Sequence, residues 1–259
     1  MRYFSQLLDD TELTSLLEEE PDWGIEAIAF GIGDTLDRGQ DAVEAYRRRM
    51  GAWLEKRPFS VHGPFLDLNP GSFDTLIREA TLCRFRQAYR AAAELGADRI
   101  VFHTGFQPAT CYEEGWPEKA VEFWKQFLDG TDGSLAVHLE NVMDLHWEVI
   151  RGILDRVDCP YFTACLDLGH LWVFSGQKPE EWIAGLGGRI GHLHLHDNTG
   201  KQDSHSALGD GSIPWDSVLP ALRRYCPGAS VTIENSRPDQ ARASLRFLRT
   251  GESAAGFFQ

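Results

Sequence analysis

The chain has 259 residues, of which 42% are hydrophobic and 25% are charged, and its formal net charge is −14 at pH 7. This length suits one large domain or two small ones with a full hydrophobic core. The strong negative charge opposes non-specific binding to nucleic acid, where lysine and arginine side chains that neutralise phosphates supply most of the affinity.

The sequence shows no pattern typical of a membrane or secreted protein. It has no run of about 18 apolar residues, so we expect no membrane span. The first residues lack the basic and apolar regions of a signal peptide. The five cysteines are scattered without a Cys-x-x-Cys pair, which indicates neither a disulfide framework nor a thiolate zinc site. These features predict a protein of the reducing cytoplasm.

Short apolar runs alternate with longer amphipathic runs eight times along the chain. The predicted strands lie at residues 1–6, 24–31, 59–65, 99–105, 134–141, 161–169, 189–197 and 229–235. The predicted helices lie near residues 10–20, 40–56, 73–95, 115–129, 144–156, 179–186, 215–225 and 238–250. Eight such units in about 250 residues predict an α/β fold, a single-domain (β/α)8 TIM barrel over residues 1–250, followed by a C-terminal tail at 251–259.

A doubly wound open sheet is the alternative to the barrel. That fold would need a glycine-rich turn after an early strand. The turn after the second predicted strand reads Gly31-Ile32-Gly33, without the third glycine of a dinucleotide-binding turn. The barrel is therefore the favoured interpretation.

Polar side chains stand at the carboxyl ends of six consecutive predicted strands, the face at which barrel enzymes build their active sites. They are His62, His103, Glu140, Asp167 with His170, His194 and Glu234, and Asp203 with His205 follows in the loop after the seventh strand. Taken singly, each of these residues could equally be a solvated loop residue with no ligand role. Carboxylates crowded into one cleft would repel one another, and a divalent metal ion makes such crowding favourable. The coincidence therefore predicts a metal site.

The seventh strand places His192, His194 and His196 on one face, because side chains on a strand alternate. His194 lies at the level of the other strand ends, and we predict that it is a metal ligand. We expect His192, like His138 on the fifth strand, to lie one layer deeper in the barrel. His196 has the same parity but lies past the level of the ligand-type residues, and it is a candidate substrate contact.

Three further residues are candidate substrate contacts. Lys201 and Arg237 follow the seventh and eighth strands, where barrels often bind phosphate. Trp172 follows the sixth strand and could line the mouth of the barrel. The alternative for the two cations is a solvated loop charge, and for the tryptophan it is packing between loop and barrel.

The motifs at the strand ends resemble those of the xylose-isomerase-like TIM-barrel superfamily. They are His-Gly-Pro at 62–64, Phe-His-Thr-Gly at 102–105, Glu-Asn at 140–141, Leu-Asp-Leu-Gly-His at 166–170, His-Leu-His-Asp-Asn at 194–198, Asp-x-His at 203–205 and Glu-Asn at 234–235. The resemblance spans the third to the eighth strand. It implies either of two chemistries.

The first implied chemistry is metal-dependent isomerisation or epimerisation of a sugar or sugar phosphate. By position, the resemblance implies that Glu140, Asp167, His194 and Glu234 bind one divalent ion, such as manganese, magnesium, cobalt or zinc. Glu140 and Glu234 would then transfer a proton at the carbon next to the carbonyl, and His170 would help to place the substrate.

The second implied chemistry is that of endonuclease IV, which cleaves DNA at abasic sites with three zinc ions. The resemblance assigns its nine ligands to His62, His103, Glu140, Asp167, His170, His194, Asp203, His205 and Glu234, and every residue type matches. The four carboxylates carry four negative charges, so three divalent ions would leave the site positive and suited to a phosphodiester. One ion would leave it negative and better suited to a neutral sugar, or to a substrate whose phosphate is bound elsewhere.

The overall charge of −14 and the few basic residues at the mouth favour the isomerase or epimerase interpretation. Nucleic acid is then not an expected partner, and the predicted partner is a small sugar or sugar phosphate. A related lyase or dehydratase and a non-catalytic binding barrel stay open as alternatives. The resemblance also makes a homo-oligomer possible.

Overall fold

The computed structural model describes residues 1–250, and the predicted tail at 251–259 lies outside the described residues. Eight parallel strands pair in sequence order and close into a barrel, since the first strand also pairs with the eighth. The strands are β1 (Arg2–Ser5), β2 (Gly24–Ala27), β3 (Phe59–His62), β4 (Arg99–His103), β5 (Ala136–Glu140), β6 (Phe162–Asp167), β7 (Ile190–Leu195) and β8 (Ser230–Ile233). The predicted (β/α)8 barrel is confirmed.

Ten α-helices surround the described part of the barrel. They are α1 (Asp10–Glu19), α2 (Gly33–Asp37), α3 (Gln40–Leu54), α4 (Thr75–Glu94), α5 (Trp116–Asp129), α6 (Trp147–Val157), α7 (Leu168–Phe174), α8 (Pro179–Leu186), α9 (Trp215–Tyr225) and α10 (Pro238–Thr250). A short 3-10 turn, Gly187–Arg189, leads into β7. All eight predicted helices are present, and α2 and α7 are additional short helices.

The apolar core lies between the strands and the helices, because outward-facing strand residues pack against the inner faces of the helices. Aromatic rings fill much of the space beside β4. Phe102 stacks on Phe85 of α4 with ring centroids 4.1 Å apart, and Trp124 of α5 lies 5.9 Å from Phe102 and 4.8 Å from Phe162. Burying a large apolar side chain of this kind contributes roughly 1.5–3 kcal/mol to folding.

The interior of the barrel, by contrast, is polar, although branched apolar residues usually fill it. Glu26 of β2 is completely buried, and the Ser60 and Thr232 hydroxyls donate to its Oε2 atom at 3.0 and 2.9 Å. His138 and His192 stack with centroids 5.3 Å apart, and both are buried one layer below the strand ends, as strand parity predicts. A layer of hydrogen-bonding side chains therefore lies directly beneath the carboxyl ends of the strands.

No helix within residues 1–250 combines the length and the apolar character that crossing a membrane requires.

Candidate metal centre

The strand register brings the predicted ligands to one level at the carboxyl end of the barrel. His103 lies beside Glu140 across the β4–β5 pair, and Asp167 lies beside His194 across the β6–β7 pair. His62 is the last residue of β3, and Glu234 directly follows β8. All nine ligand-type residues predicted from the sequence therefore come together in the structure.

Four of these residues, Glu140, Asp167, His194 and Glu234, form what we call the inner group. The Nδ1 atom of His194 lies 3.3 Å from Oε1 of Glu140, 3.7 Å from Oδ2 of Asp167 and 3.8 Å from Oε2 of Glu234. Two donors that bind one ion at about 2.1 Å each lie roughly 3–4 Å apart, so these separations suit a shared divalent ion. Three carboxylates and one imidazole are a donor set that manganese, magnesium, cobalt and zinc all accept.

The other nitrogen of His194 is occupied by a residue that sequence reasoning missed. Its Nε2 atom lies 2.8 Å from Oε1 of Glu26, and both side chains are fully buried. A carboxylate at one ring nitrogen fixes the tautomer and directs the second nitrogen to a metal ion. The two atoms meet as a close ion pair outside hydrogen-bond geometry, so Glu26 holds His194 with Nδ1 facing the inner group by its charge.

His62 and His103 approach Glu140 from the β3–β4 side and form the flanking pair. The Nε2 atom of His62 lies 3.1 Å from Oε2 of Glu140, and that of His103 lies 3.5 Å from the same oxygen. His62 Nδ1 lies 2.9 Å from the carbonyl oxygen of Gly63, which can only accept, so Nδ1 carries the proton. The contact at Nε2 therefore suits either a protonated imidazole or a cation held between the imidazole and the carboxylate.

His170, Asp203 and His205 form the outer group on the opposite side. Oδ2 of Asp203 lies 3.3 Å from Nε2 of His170 and 3.1 Å from Nε2 of His205. Each histidine donates its Nδ1 proton to a backbone carbonyl, that of Asn141 at 3.1 Å and that of Glu234 at 2.8 Å. This arrangement repeats the one at His62, so the outer group is also built in the manner of a metal site.

The predicted substrate contact His196 lies against the outer group. Its side chain is completely buried, its ring stacks on His205 with centroids 4.0 Å apart, and its Nε2 atom lies 3.2 Å from Oδ2 of Asp167. A Cβ atom on Gly169 would come within 1.9 Å of the His196 ring, so the chain needs glycine there. The contacts of His196 are thus with ligand-type residues.

Electrostatics keep the carboxylate of Glu140 ionised. Burial raises the pKa of Glu140, but His194 and His170 outweigh burial and hold that pKa well below its usual range. Burial lowers the pKa of His205, yet Asp203 and Glu234 raise it to about 9. At His103, burial and the neighbouring imidazoles outweigh Glu140 and lower the pKa to about 3. The ionised carboxylate of Glu140 is the form that both metal binding and proton acceptance require.

Asparagines that follow the two glutamates lock the strand ends together. The amide of Asn141 donates to the carbonyl of Asp167 at 2.9 Å and accepts from its N–H at 2.9 Å. The amide of Asn235 donates to the carbonyls of His205 and Ser206 at 2.9 and 2.8 Å. These bonds fix the positions of Asp167 and of the loop that carries Asp203 and His205.

Asp197, a second residue that sequence reasoning missed, organises the loop after β7. Its carboxylate accepts from the N–H of Gly209 at 2.9 Å and from the indole of Trp215 at 2.7 Å. It is completely buried. The loop is thereby closed on itself, which holds Asp203 and His205 over the barrel.

A large cavity of about 920 Å³ opens beside these groups. At one end it is lined by His62, His103, Glu140, His170, Asp203, His205 and Glu234, and at the other by side chains of α2, α3 and the segments that follow β1 and β2. Lys201, Arg237, Trp172 and His196 are not among the lining residues. Lys201 is exposed, Arg237 bonds Asp239 at 2.7 Å, and the indole of Trp172 donates to Ser212 at 2.9 Å.

Asp144 is a buried carboxyl next to the site, in the segment after β5. Its Oδ2 atom accepts from the Thr104 hydroxyl at 2.7 Å and from the Val142 N–H at 3.0 Å, and Oδ1 has no hydrogen-bond partner within residues 1–250. Burial raises the pKa of Asp144 to about 6. Between pH 3.8 and about 6, this carboxyl is therefore protonated in the folded protein and ionised in the unfolded chain.

We expect this group to make the free energy of unfolding fall by about 3 kcal/mol as the pH rises from about 4 to above 6. The folded state binds the extra proton in this range, so stability is lost with rising pH and levels off above the folded pKa. Urea unfolding of the wild type and Asp144→Asn at pH 4 and pH 7.5 measures the effect. The variant should lack this part of the pH dependence, and an identical pH dependence in both proteins would contradict the assignment.

The fold and the donor set define the class of protein: a (β/α)8 barrel with a cluster of metal-ligating side chains at its carboxyl-terminal face. The chain belongs to the xylose isomerase-like TIM barrel family, whose model matches residues 18–251. The resemblance expected from the strand-end motifs is thus confirmed.

Known proteins similar to this chain include a probable endonuclease and, in fold, an epimerase-like protein. A probable endonuclease 4 of Mycobacterium leprae is 27% identical over 206 residues, covering 74% of this chain and 78% of that protein. The TTHB071 protein from Thermus thermophilus, in a structure obtained by soaking with ZnCl2, is 28% identical with a TM-score of 0.72 and 95% coverage of both chains. A D-tagatose 3-epimerase-like protein has a TM-score of 0.78 at 23% identity, covers 96% of this chain and 95% of its own, and shares the fold.

Proposed function

We propose that the protein is a divalent-metal-dependent isomerase or epimerase of a small sugar or sugar phosphate. One observation carries the proposal. Glu140 and Glu234 converge from β5 and β8 on the Nδ1 atom of one histidine, at 3.3 and 3.8 Å, and both glutamates line the large cavity. Paired carboxylates about one bound sugar can act as general base and general acid in proton transfer next to a carbonyl.

In this proposal Glu140, Asp167, His194 and Glu234 would hold the ion, which would polarise the substrate carbonyl and stabilise negative charge. Glu140, kept ionised, accepts the proton from the carbon next to the carbonyl. Glu234 delivers a proton from the other side of the substrate. His170 lines the same cavity and orients the substrate, with its ring held by the Asn141 carbonyl.

The size and charge of the cavity support a small substrate. About 920 Å³ lies within the usual range of small-molecule sites, roughly 300–1,000 Å³. A DNA-binding surface would need many cationic groups for the phosphates, whereas the net charge is −14. The epimerase-like fold neighbour points in the same direction.

A second candidate function, metal-dependent hydrolysis of a phosphodiester at abasic sites, is favoured by a different observation. His62, His170 and His205 each donate Nδ1–H to a backbone carbonyl and direct Nε2 to a carboxylate. The structure thus offers ligand groups for up to three ions, more than an isomerase needs. The similarity to the probable endonuclease 4 supports this alternative.

Solvent exchange tests the proposal. Metal-loaded protein is incubated in D2O with ketopentoses, ketohexoses and their phosphates, and NMR follows deuterium at the carbon next to the carbonyl. We expect metal-dependent incorporation that Glu234→Gln reduces about 10²–10⁴-fold. Absence of exchange on every ketose, together with cleavage of a duplex containing an abasic site, would overturn the proposal in favour of the hydrolase.

A further inference from the structure

The large cavity extends well past the ligand groups towards α2 and α3, and we call this end the distal arm. The arm is defined by its polar lining residues Gln6, Asp10, Thr35, Arg38, Tyr46 and Arg49. Its remaining walls are apolar, with Leu8 and Phe30 among them. A substrate with its reacting carbons between Glu140 and Glu234 would place its far end in this arm.

The charged side chains that line the distal arm sum to a net positive charge. Arg38, Arg49 and Asp10 are its charged lining residues among the described part of the chain, which leaves one positive charge. At the other end the lining carboxylates are Glu140, Asp203 and Glu234. The arm therefore offers its own positive charge, apart from the ligand groups, to an anionic end of a ligand.

Arg49 is held in place by a network of side chains. Its Nε atom lies 2.8 Å from Oδ2 of Asp10, and its guanidinium lies 5.1 Å from the centroid of the Tyr46 ring. The Gln6 amide donates to Asp10 at 2.8 Å and accepts from the Tyr46 hydroxyl at 2.9 Å. Only part of the guanidinium is used, so other N–H groups stay available to a ligand.

Arg38 is the free cation of the arm. It ends α2, its side chain is exposed, and it forms no ion pair with any residue of the described chain 1–250. The cations predicted from the sequence do not compete for this role. Lys201 and Arg237 do not line the cavity, and Arg237 is already paired with Asp239 at 2.7 Å.

We propose that the distal arm is a phosphate subsite, in which Arg38 and Arg49 bind the terminal phosphate of an acyclic sugar phosphate. The inference rests on the proposed function, because it deepens the identity of the same substrate. Guanidinium groups bind phosphate oxygens through two parallel hydrogen bonds. The Thr35 hydroxyl lines the same arm and can donate a further bond. The substrate class is then a ketose phosphate rather than a neutral ketose.

Binding of matched probes tests the subsite without requiring turnover. The metal-loaded protein is titrated with D-fructose and D-fructose 6-phosphate, and with D-ribulose and D-ribulose 5-phosphate, by calorimetry. We expect the phosphorylated member of at least one pair to bind about ten-fold or more tightly. Arg38→Ala should remove most of that preference and leave the affinity for the neutral sugar unchanged, with Arg49→Ala acting in the same direction.

Arg237→Ala is the matched control, because Arg237 is an exposed arginine outside the cavity, and it should keep the full preference. The proposal is overturned if neither sugar phosphate binds or if the wild type shows no preference for the phosphorylated sugar. It is also overturned if Arg38→Ala keeps that preference, which is the result expected when the phosphate binds directly to the metal ion. Failure of deuterium exchange with an intact, Arg38-dependent preference would instead overturn the proposed reaction and leave the subsite standing.

Discussion

Replacing Glu140 by glutamine is expected to cause the largest loss of function, a fall of about 10²–10⁴-fold in kcat/KM together with loss of the tightly bound ion. Glu140 is fully buried and contacts four histidines: His62 at 3.1 Å, His103 at 3.5 Å, and His170 and His194 at 3.3 Å. The substitution removes a ligand, the proton acceptor and the charge that balances those imidazoles. Turnover and metal content per chain measure the effect.

Glu122→Gln is the control for this variant, since Glu122 is exposed on α5 and pairs with Lys119. It should keep both metal and activity. A Glu140→Gln protein that folds, retains its ion and turns over at the wild-type rate would show that Glu140 is neither a metal ligand nor the proton acceptor.

The second large effect is expected at Glu26, which does not face the cavity. Glu26→Gln should weaken metal affinity about 10–100-fold, the usual result of losing the partner of a metal-bound histidine. The reason is that Oε1 of Glu26 lies 2.8 Å from His194, while Oε2 lies 3.0 Å from His192. Without the negative charge, His194 loses the group that directs its Nδ1 atom to the inner group.

Competition of a chromogenic chelator for Co²⁺ measures this affinity. Ser60→Ala serves as the control, because it removes one hydrogen bond to Glu26 at 3.0 Å but leaves the contact with His194. It should change the affinity much less than Glu26→Gln. Equal affinities in the wild type and Glu26→Gln would show that His194 is oriented by other contacts.

Much of the barrel and most of the ligand cluster could be predicted from the sequence. Apolar strands and amphipathic helices alternate regularly, and closure of the barrel then brings the ends of all strands to one face. Side-chain alternation along β7 places both His192 and His194 inside the barrel, and position along the strand separates them, because His194 lies nearer to the carboxyl end. Both histidines lie at the predicted depth.

Glu26 was missed because β2 looks like an ordinary apolar strand with a single charged residue. Its role appears only when β2, β3, β7 and β8 converge, which places Ser60, His192, His194 and Thr232 around one carboxylate. A lone carboxylate within a short buried strand was the available signal, since burial of an unpaired charge is costly.

The end of β6 shows a second limit. The sequence predicted a strand over 161–169, but the strand ends at Asp167 and α7 begins at once. The Asp167 side chain accepts from the N–H of His170 at 2.6 Å and so caps α7. Asp167 is thus both a helix cap and a ligand-type residue. The strand passes directly into the helix at this residue, and such a direct junction leaves no periodic pattern in the sequence.

The direction of loop side chains was the least predictable feature. Lys201 and Arg237 follow the strands where phosphate is often bound, yet neither lines the cavity. Arg38 and Arg49 line it instead, because α2 and α3 fold over the β1–β2 side of the mouth. α2 has only five residues, too few for a helical period to be recognised.

The number of metal ions per chain tests the central claim most directly, since it separates a single inner site from a site with three ions. Purified protein is loaded with Mn²⁺, Co²⁺ or Zn²⁺, passed through a desalting column, and measured by native mass spectrometry. The inner group is the most deeply buried of the three, so we expect one retained ion, lost in Asp167→Asn and kept in His62→Ala. Three retained ions, with loss of at least one in His62→Ala and another in His205→Ala, would contradict the isomerase or epimerase proposal and favour the phosphodiesterase.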